Sequence, residues 1–237
     1  MKIHLITYGN DKYAKQREFL KETAIASSFF NVIDVYTPND IADDFKEKYK
    51  YIWNSRRGGG YWIWKPLIVR RALEALPKDD VLIFCDAGCM INRKGKKRFD
   101  EYIDQLMSSA TGSVAFEVHH KEYEYTKREI FDYYGTTDDI KNAGQTISGI
   151  MLFRKGEHAT MLMDKWYQAV LDYPMLLTDY YDPAIQDPRF VENRHDQSLI
   201  SILRRKYGSE FIRDETYFLD FVREGQDYPF WASRLSG

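Results

Sequence analysis

Short apolar runs alternate with amphipathic stretches from the first residues of this chain. Ile3-His4-Leu5-Ile6-Thr7 reads as a strand, closed by Tyr8-Gly9-Asn10. Asp11 is placed to cap a helix running to about Ser27. Val32-Ile33-Asp34-Val35-Tyr36 predicts a second strand. Asn39 then caps a helix whose Ile41, Phe45 and Tyr49 recur on one face. The Gly-rich turn Arg56-Arg57-Gly58-Gly59-Gly60 leads into a helix from about Lys65 to Leu76. Val81-Leu82-Ile83-Phe84-Cys85 is an unbroken apolar run and predicts a buried strand. Residues 99–107 read as helix and 113–117 as strand. Thr146 to Arg154 predicts another strand. A long amphipathic helix opens after Gly156, with Leu162, Trp166, Ala169 and Val170 inward. A short helix spans Asp196 to Tyr207, and Gly208 stops it. Residues 119–142 are polar, Tyr-rich and without a clear period, and 174–188 are irregular and contain prolines. Strands and helices alternating in this order predict one three-layer α/β domain over residues 1–237.

The opening β-α-β-α order is that of nucleotide-binding halves. Composition narrows the partners. Apolar residues make up 44% of the 237, enough for a substantial core, and the formal net charge is only −2. That balance argues against wholesale binding to nucleic acid or to a charged membrane surface. Aromatics reach 16%, with 18 Tyr and 5 Trp, and such rings either pack the core or line a carbohydrate or nucleotide cleft. Cys85 and Cys89 are the two cysteines. On an extended segment they stand about 13 Å apart, too far for a disulfide. Two thiols without a framework suit a reducing compartment. Residues 1–7 begin a strand at once and lack the pattern of a signal peptide. The expectation is a cytoplasmic protein, with peripheral contact at the membrane face left open.

Four segments carry candidate chemistry. Asp86 follows the apolar run at the strand's C-terminal end, the edge where ligands bind in open α/β sheets. A bare carboxylate is costly to bury unless something pairs with it, and a metal ion is the simplest partner. Ala87 and Gly88 follow it, and the alternative is a capping or structural role. Lys65 precedes Pro66 at a helix start, an unfavourable place for a cation unless an anion such as a diphosphate is shared with the free amides. Arg56, Arg57, Arg70 and Arg71 add to that positive region. Gly144-Gln145-Thr146-Ile147-Ser148-Gly149 is a small-residue entry into a buried strand that lets a ligand approach the backbone. Asn193-Arg194-His195-Asp196-Gln197-Ser198 opens the last helix. Asp196 suits its first turn, and His195 suits a metal ligand or proton carrier. His119 and His120 read as exposed loop residues.

Taken in order, the Trp-Lys-Pro helix entry, the strand-end aspartate, the Ser-Gly-Ile-Met-Leu strand and the Asp-Gln helix start resemble GT-A fold nucleotide-sugar glycosyltransferases. Glycogenin-type enzymes, yeast-type α-mannosyltransferases and small bacterial and viral glycan transferases are the nearest kinds. The resemblance implies a single Rossmann-like three-layer α/β/α domain around a mostly parallel mixed sheet. It implies transfer of a hexosyl or related sugar from a UDP- or GDP-sugar to a glycan or other hydroxyl acceptor, as in polysaccharide or glycan synthesis. Thr7, Tyr8 and Gly9 match the segment that holds the base. Arg57, Trp64 and Lys65 would face the diphosphate or sugar. Asp86, Ala87 and Gly88 match the family's Asp-X-Asp motif, which holds Mn²⁺ or Mg²⁺ on the diphosphate. Gln145, Ser148 and Gly149 match the strand that borders the donor sugar. Asp196 and Gln197 match the catalytic segment, with His195 as a second metal ligand. One departure stands out: Gly88 replaces the motif's second carboxylate. The metal then binds more weakly, uses Asp86 with His195 or Asp196, draws a neutral oxygen from Asn92, or is absent. Two other readings stay open: a nucleotidyltransferase or sugar-nucleotide pyrophosphorylase, and an inactive sugar- or nucleotide-sugar-binding module. The first lacks its Gly-rich phosphate loop after the first strand.

Overall fold

The computed structural model describes residues 1–233. Its strands are β1 (Ile3–Tyr8), β2 (Val32–Tyr36), β3 (Val81–Cys85), β4 (Met90–Ile91), β5 (Ser113–Lys121), β6 (Gly144–Thr146), β7 (Ile150–Arg154), β8 (Glu210–Arg213) and β9 (Phe230–Trp231). Its helical segments are α1 (Ala14–Ser27), α2 (Asp43–Lys48), α3 (Lys50–Trp53), α4 (Gly58–Tyr61, a single turn whose residues all have positive φ), α5 (Trp64–Ala75), α6 (Lys96–Ser108), α7 (Glu122–Tyr125), α8 (Arg128–Tyr134), α9 (Asp138–Lys141), α10 (Glu157–Asp172) and α11 (Asp196–Tyr207). The central sheet runs β2-β1-β3-β7-β5-β6, with β8 on the other side of β5. β1, β2, β3, β5 and β8 point one way, and β6 and β7 point the other.

The alternation of β3 explains the layers. Leu82 and Phe84 enter one apolar cluster with residues of α5, α10 and α11. Val81, Ile83 and Cys85 enter a second cluster with residues of α1 and α6. Every β3 residue is fully buried, so an unbroken apolar run is what both faces require. Each large side chain there contributes roughly 1.5–3 kcal/mol of burial. The same alternation sends position 86 to the α5 and α11 side. The C-terminal ends of β1 and β3, the start of β7 and the N-termini of α5 and α11 meet at one edge of the sheet. Both cysteines are buried and neither forms a disulfide. No helix among the described residues is long and apolar enough to cross a membrane.

Several local expectations are corrected. Asp11 opens a 3-10 turn, Asp11–Tyr13, and the helix proper starts at Ala14 without a side-chain cap. Asn39 lies inside the 3-10 turn Pro38–Asp40, capped by Thr37, and α2 begins at Asp43. The strand expected over 146–154 is split. Ile147 N–H donates to Phe116 O, whereas Gly149 O accepts from Asp86 N–H, so the chain leaves β5 and pairs with the end of β3. His119 and His120 sit on the last residues of β5 rather than in a loop. The uncertain stretch after them resolves into α7, α8 and α9.

Candidate active site

The sheet edge brings Lys65, Asp86 and Asp196 together. Lys65 is the second residue of α5 and its side chain is 1% exposed. Its Nζ lies 3.0 Å from Asp86 Oδ1 and 2.8 Å from Asp196 Oδ2. The Asp86 side chain is 39% exposed and Asp196 only 5%. Burial opposes the charge on Lys65, but the attraction of Asp196 and then Asp86 outweighs it, and Lys65 is held above its ordinary pKa. Burial raises the pKa of Asp86, and the Lys65 charge works against that rise. Lys65 therefore answers the carboxylate's need for a partner. Its charge is shared between two aspartates, and the three groups together carry one formal net negative charge.

The surroundings fix this triad. Ser148 Oγ donates to Asp196 Oδ2 at 2.7 Å. Asp196 begins α11, where the helix dipole favours an anion. Gly149 lies so close that a Cβ there would stand 2.9 Å from Asp86 Oδ2. Ala87 is buried, and Gly88 O accepts from Ser233 Oγ at 3.1 Å. Gln197 Nε2 donates to Gln145 Oε1 at 2.7 Å, which turns the Gln197 amide nitrogen toward a fully buried partner. Gln145 Nε2 in turn reaches Glu122 Oε2, Tyr125 O and Thr126 Oγ1.

His195 is committed elsewhere. Its Nδ1–H donates to Leu177 O at 2.7 Å, and its Nε2 accepts from Arg57 Nε at 3.1 Å. These partners define a neutral ring, and burial holds its pKa below the ordinary histidine value. Trp62 stacks on it at 4.9 Å between centroids. His195 has φ 55° and ψ −120°, a sparsely populated conformation for a non-glycine residue. Facing it, Gly58, Gly59, Gly60, Tyr61 and Trp62 all have positive φ. Left-handed residues in such numbers persist only where surrounding contacts hold them, and they cluster at functional sites.

Tyr8 stacks on Trp64 at 3.9 Å, and Trp64 Nε1 donates to Gly58 O at 3.1 Å. Gly9 O accepts from Arg17 at 2.6 Å. Thr7 is buried at the end of β1. The end of β1 and the Gly-rich turn thus share one wall. Arg70 and Arg71 do not join it. Arg70 pairs with Asp164 and Glu74, and Arg71 donates to Asp40 O and lies over Tyr36. Asn92 Nδ2 is taken by Gly225 O, Gln226 O and Tyr228 O, and its Oδ1 by Lys94 N–H, so it is a loop anchor. Two important residues carried no signal in the sequence. Asp179, in an irregular segment, lies 3.1 Å from Tyr61 Oη, 3.5 Å from Arg57 and 3.7 Å from His195. Glu122, at the start of α7, is buried beneath Gln145.

The donor set does not fit a divalent ion held by the protein. Among the described residues no group of three or more His, Cys, Asp or Glu is arranged to hold one. The expected pair, Asp86 with His195, fails because both ring nitrogens of His195 are occupied. Asp86 keeps one oxygen outside the Lys65 pair. A dication there would stand within a few ångströms of the ammonium, a like-charge contact that costs several kcal/mol even at an effective dielectric of about 20.

This layered sheet with its site at the strand ends is the GT-A glycosyltransferase fold. A glycosyltransferase involved in the glycosylation of the major capsid of PBCV-1 superimposes with TM-score 0.52 at 13% identity, covering 98% of this chain and 92% of that one. The galactosyltransferase LgtC, in complex with donor and acceptor sugar analogs, superimposes with TM-score 0.50 at 12% identity, covering 96% and 86%. No family model matches the sequence, and no curated protein matches it significantly.

Proposed function

We propose that this protein is a glycosyltransferase that moves a hexosyl or related sugar from a UDP- or GDP-sugar to a hydroxyl of a glycan or similar acceptor, in polysaccharide or glycan synthesis. The observation that carries this reading is the Lys65–Asp86–Asp196 triad at the strand ends of a GT-A fold. The galactosyltransferase it resembles holds donor and acceptor sugar analogs.

In transfer, the bond from the anomeric carbon to the diphosphate breaks, and its electron pair leaves with the phosphate oxygen. The carbon becomes cationic and takes the acceptor oxygen, whose proton passes to the departing diphosphate oxygen. A triad with one net negative charge suits the carbon side of that event, because preorganised charge acts where charge develops. Asp196 is the group assigned to the reacting carbon, and Lys65 and Ser148 orient it. Asp86, with one open oxygen, reads the donor sugar beside Gly149. Gln197, fixed by Gln145, lines the same face. Arg56, Arg57 and the backbone of Gly58–Gly60 are assigned to the diphosphate, and Thr7, Tyr8, Gly9 and Trp64 to the base. His195 holds Arg57 in place through its Nε2.

The test is a panel of UDP- and GDP-sugars with release of nucleoside diphosphate as the readout. Release from one donor that is lost in Asp196→Asn supports transferase chemistry. Tight donor binding without release in the wild type would instead favour a nucleotide-sugar-binding module.

A further inference from the structure

Asp86 Oδ1 and Asp196 Oδ2 approach one point from two elements, and both lie within 3.0 Å of it. Carboxylate oxygens converging on a single cation are how a protein holds a divalent ion. Here the point is occupied by the Lys65 ammonium, which arrives on its own stem. The arrangement is built rather than incidental. Lys65 lies in the first turn of α5, beside Pro66, and its Nζ stands 5.1 Å from the Phe84 ring centroid. The two carboxylates outweigh the burial that opposes its charge and keep it protonated. Position 88, two residues after Asp86, is a glycine, so the turn after β3 adds no further carboxylate.

We propose that Lys65 is the resident cation of this site and excludes a divalent metal: donor binding needs neither Mg²⁺ nor Mn²⁺, and deleting the ammonium turns Asp86 and Asp196 into a divalent-ion site. In Lys65→Ala the two oxygens remain, held by Ser148 and by the room at Gly149, around a void where the ammonium stood. A dication there neutralises the carboxylate pair, of which the variant would otherwise leave Asp196 buried and uncompensated. The claim about cation occupancy stands apart from the transfer reading, and the claim about donor binding rests on it.

Mn²⁺ binding is measured by the loss of the free-ion electron paramagnetic resonance signal, for wild type, Lys65→Ala, Lys65→Arg, Asp86→Asn and the double variant Lys65→Ala/Asp86→Asn. Melting temperatures are recorded with and without UDP or GDP and Mn²⁺. Wild type and Lys65→Arg are expected to leave the Mn²⁺ signal unchanged. Lys65→Ala is expected to take up one Mn²⁺ at least about tenfold more tightly than wild type, to melt higher when Mn²⁺ is added, and to lose both effects in the double variant. Wild type that binds Mn²⁺ in a manner lost in Asp86→Asn overturns the proposal. So does a folded Lys65→Ala that ignores Mn²⁺, or a nucleoside diphosphate that raises the wild-type melting temperature only with Mn²⁺. If Lys65→Ala does not fold, the wild-type and Asp86→Asn arms decide alone. Wild type that binds neither nucleoside diphosphate, while Lys65→Ala takes up Mn²⁺, supports the cation assignment and counts against the donor reading.

Discussion

Two buried polar clusters lie close together in this protein and solve the same problem differently. At the sheet edge, Asp86 and Asp196 are matched by a full opposite charge on Lys65. One layer behind, the Glu122 carboxylate is completely buried and is met by neutral donors, Ser201, Thr126 and Gln145, with Arg205 acting from farther away. The first cluster keeps its charges and opens one carboxylate to the cleft. The second is closed, and burial drives the pKa of Glu122 up to about 7. A paired charge can work at a surface the substrate reaches, whereas a carboxylate held by neutral donors positions its neighbours. Through Gln145, Glu122 reaches Gln197.

The largest effect is expected from breaking the charged cluster. Lys65→Met leaves two aspartates facing each other without a cation. Removing one partner of a buried ion pair costs about 3–5 kcal/mol. Urea unfolding should show that loss, and sugar transfer should fall below detection. A variant as stable and active as wild type would mean that the triad is ornamental. Asp196→Asn comes next. It keeps the shape and the Ser148 contact but removes the charge proposed to act at the reacting carbon, and turnover should fall by about 10²–10³. The readout is nucleoside diphosphate release, and a drop in affinity alone would place Asp196 in binding.

Gly149→Ala is the smaller test of the same cluster. Its Cβ would stand 2.9 Å from Asp86 Oδ2 and push the open carboxylate aside. Turnover is expected to drop about tenfold with little change in unfolding free energy, because the atom that must move is the end of a part-exposed side chain. Unchanged turnover would show that the open oxygen of Asp86 has no role.

Glu122→Gln probes the closed cluster and should change turnover least. The folded pKa of about 7 lies above the ordinary value of 4.5. Between those values the folded protein keeps a proton that the unfolded chain gives up. That contribution to stability is complete below about pH 4.5 and is lost as pH rises through 7. Wild type should lose up to about 3 kcal/mol of stability across that window, at about 1.4 kcal/mol per unit. Glu122→Gln should flatten this part of the profile. Denaturant unfolding at pH 5 and pH 8 decides the point, and an unchanged slope in the variant would assign the titration to another group.

The contrast also explains what could be read in advance. β3 and Asp86 stood out because a strand buried on both faces must be apolar throughout, so the first carboxylate marks its end. The start of α11 at Asp196 was equally plain from its apolar period and the stop at Gly208. The oddness of Lys65 at a helix start is visible in the sequence, but the two aspartates that pair with it are not. An anion of some kind is what the dipole argument demands, and two aspartates lying 21 and 131 residues away satisfy it as well as a diphosphate. The split between β6 and β7 was invisible because Ile147 continues the apolar run. Asp179 and Glu122 left no trace, since each works through contacts that only the folded chain creates. His195 looked like a ligand because a histidine beside an aspartate does, and only its two hydrogen bonds show where its nitrogens point.

The most direct measurement is nucleoside diphosphate release from a panel of UDP- and GDP-sugars by wild type and Asp196→Asn, with Mn²⁺ supplied throughout so that the result does not depend on the metal. The triad account predicts release from at least one donor by wild type and little or none by Asp196→Asn, while the variant still binds that donor. Wild type that releases nothing from any donor, or Asp196→Asn that matches wild type, would contradict it.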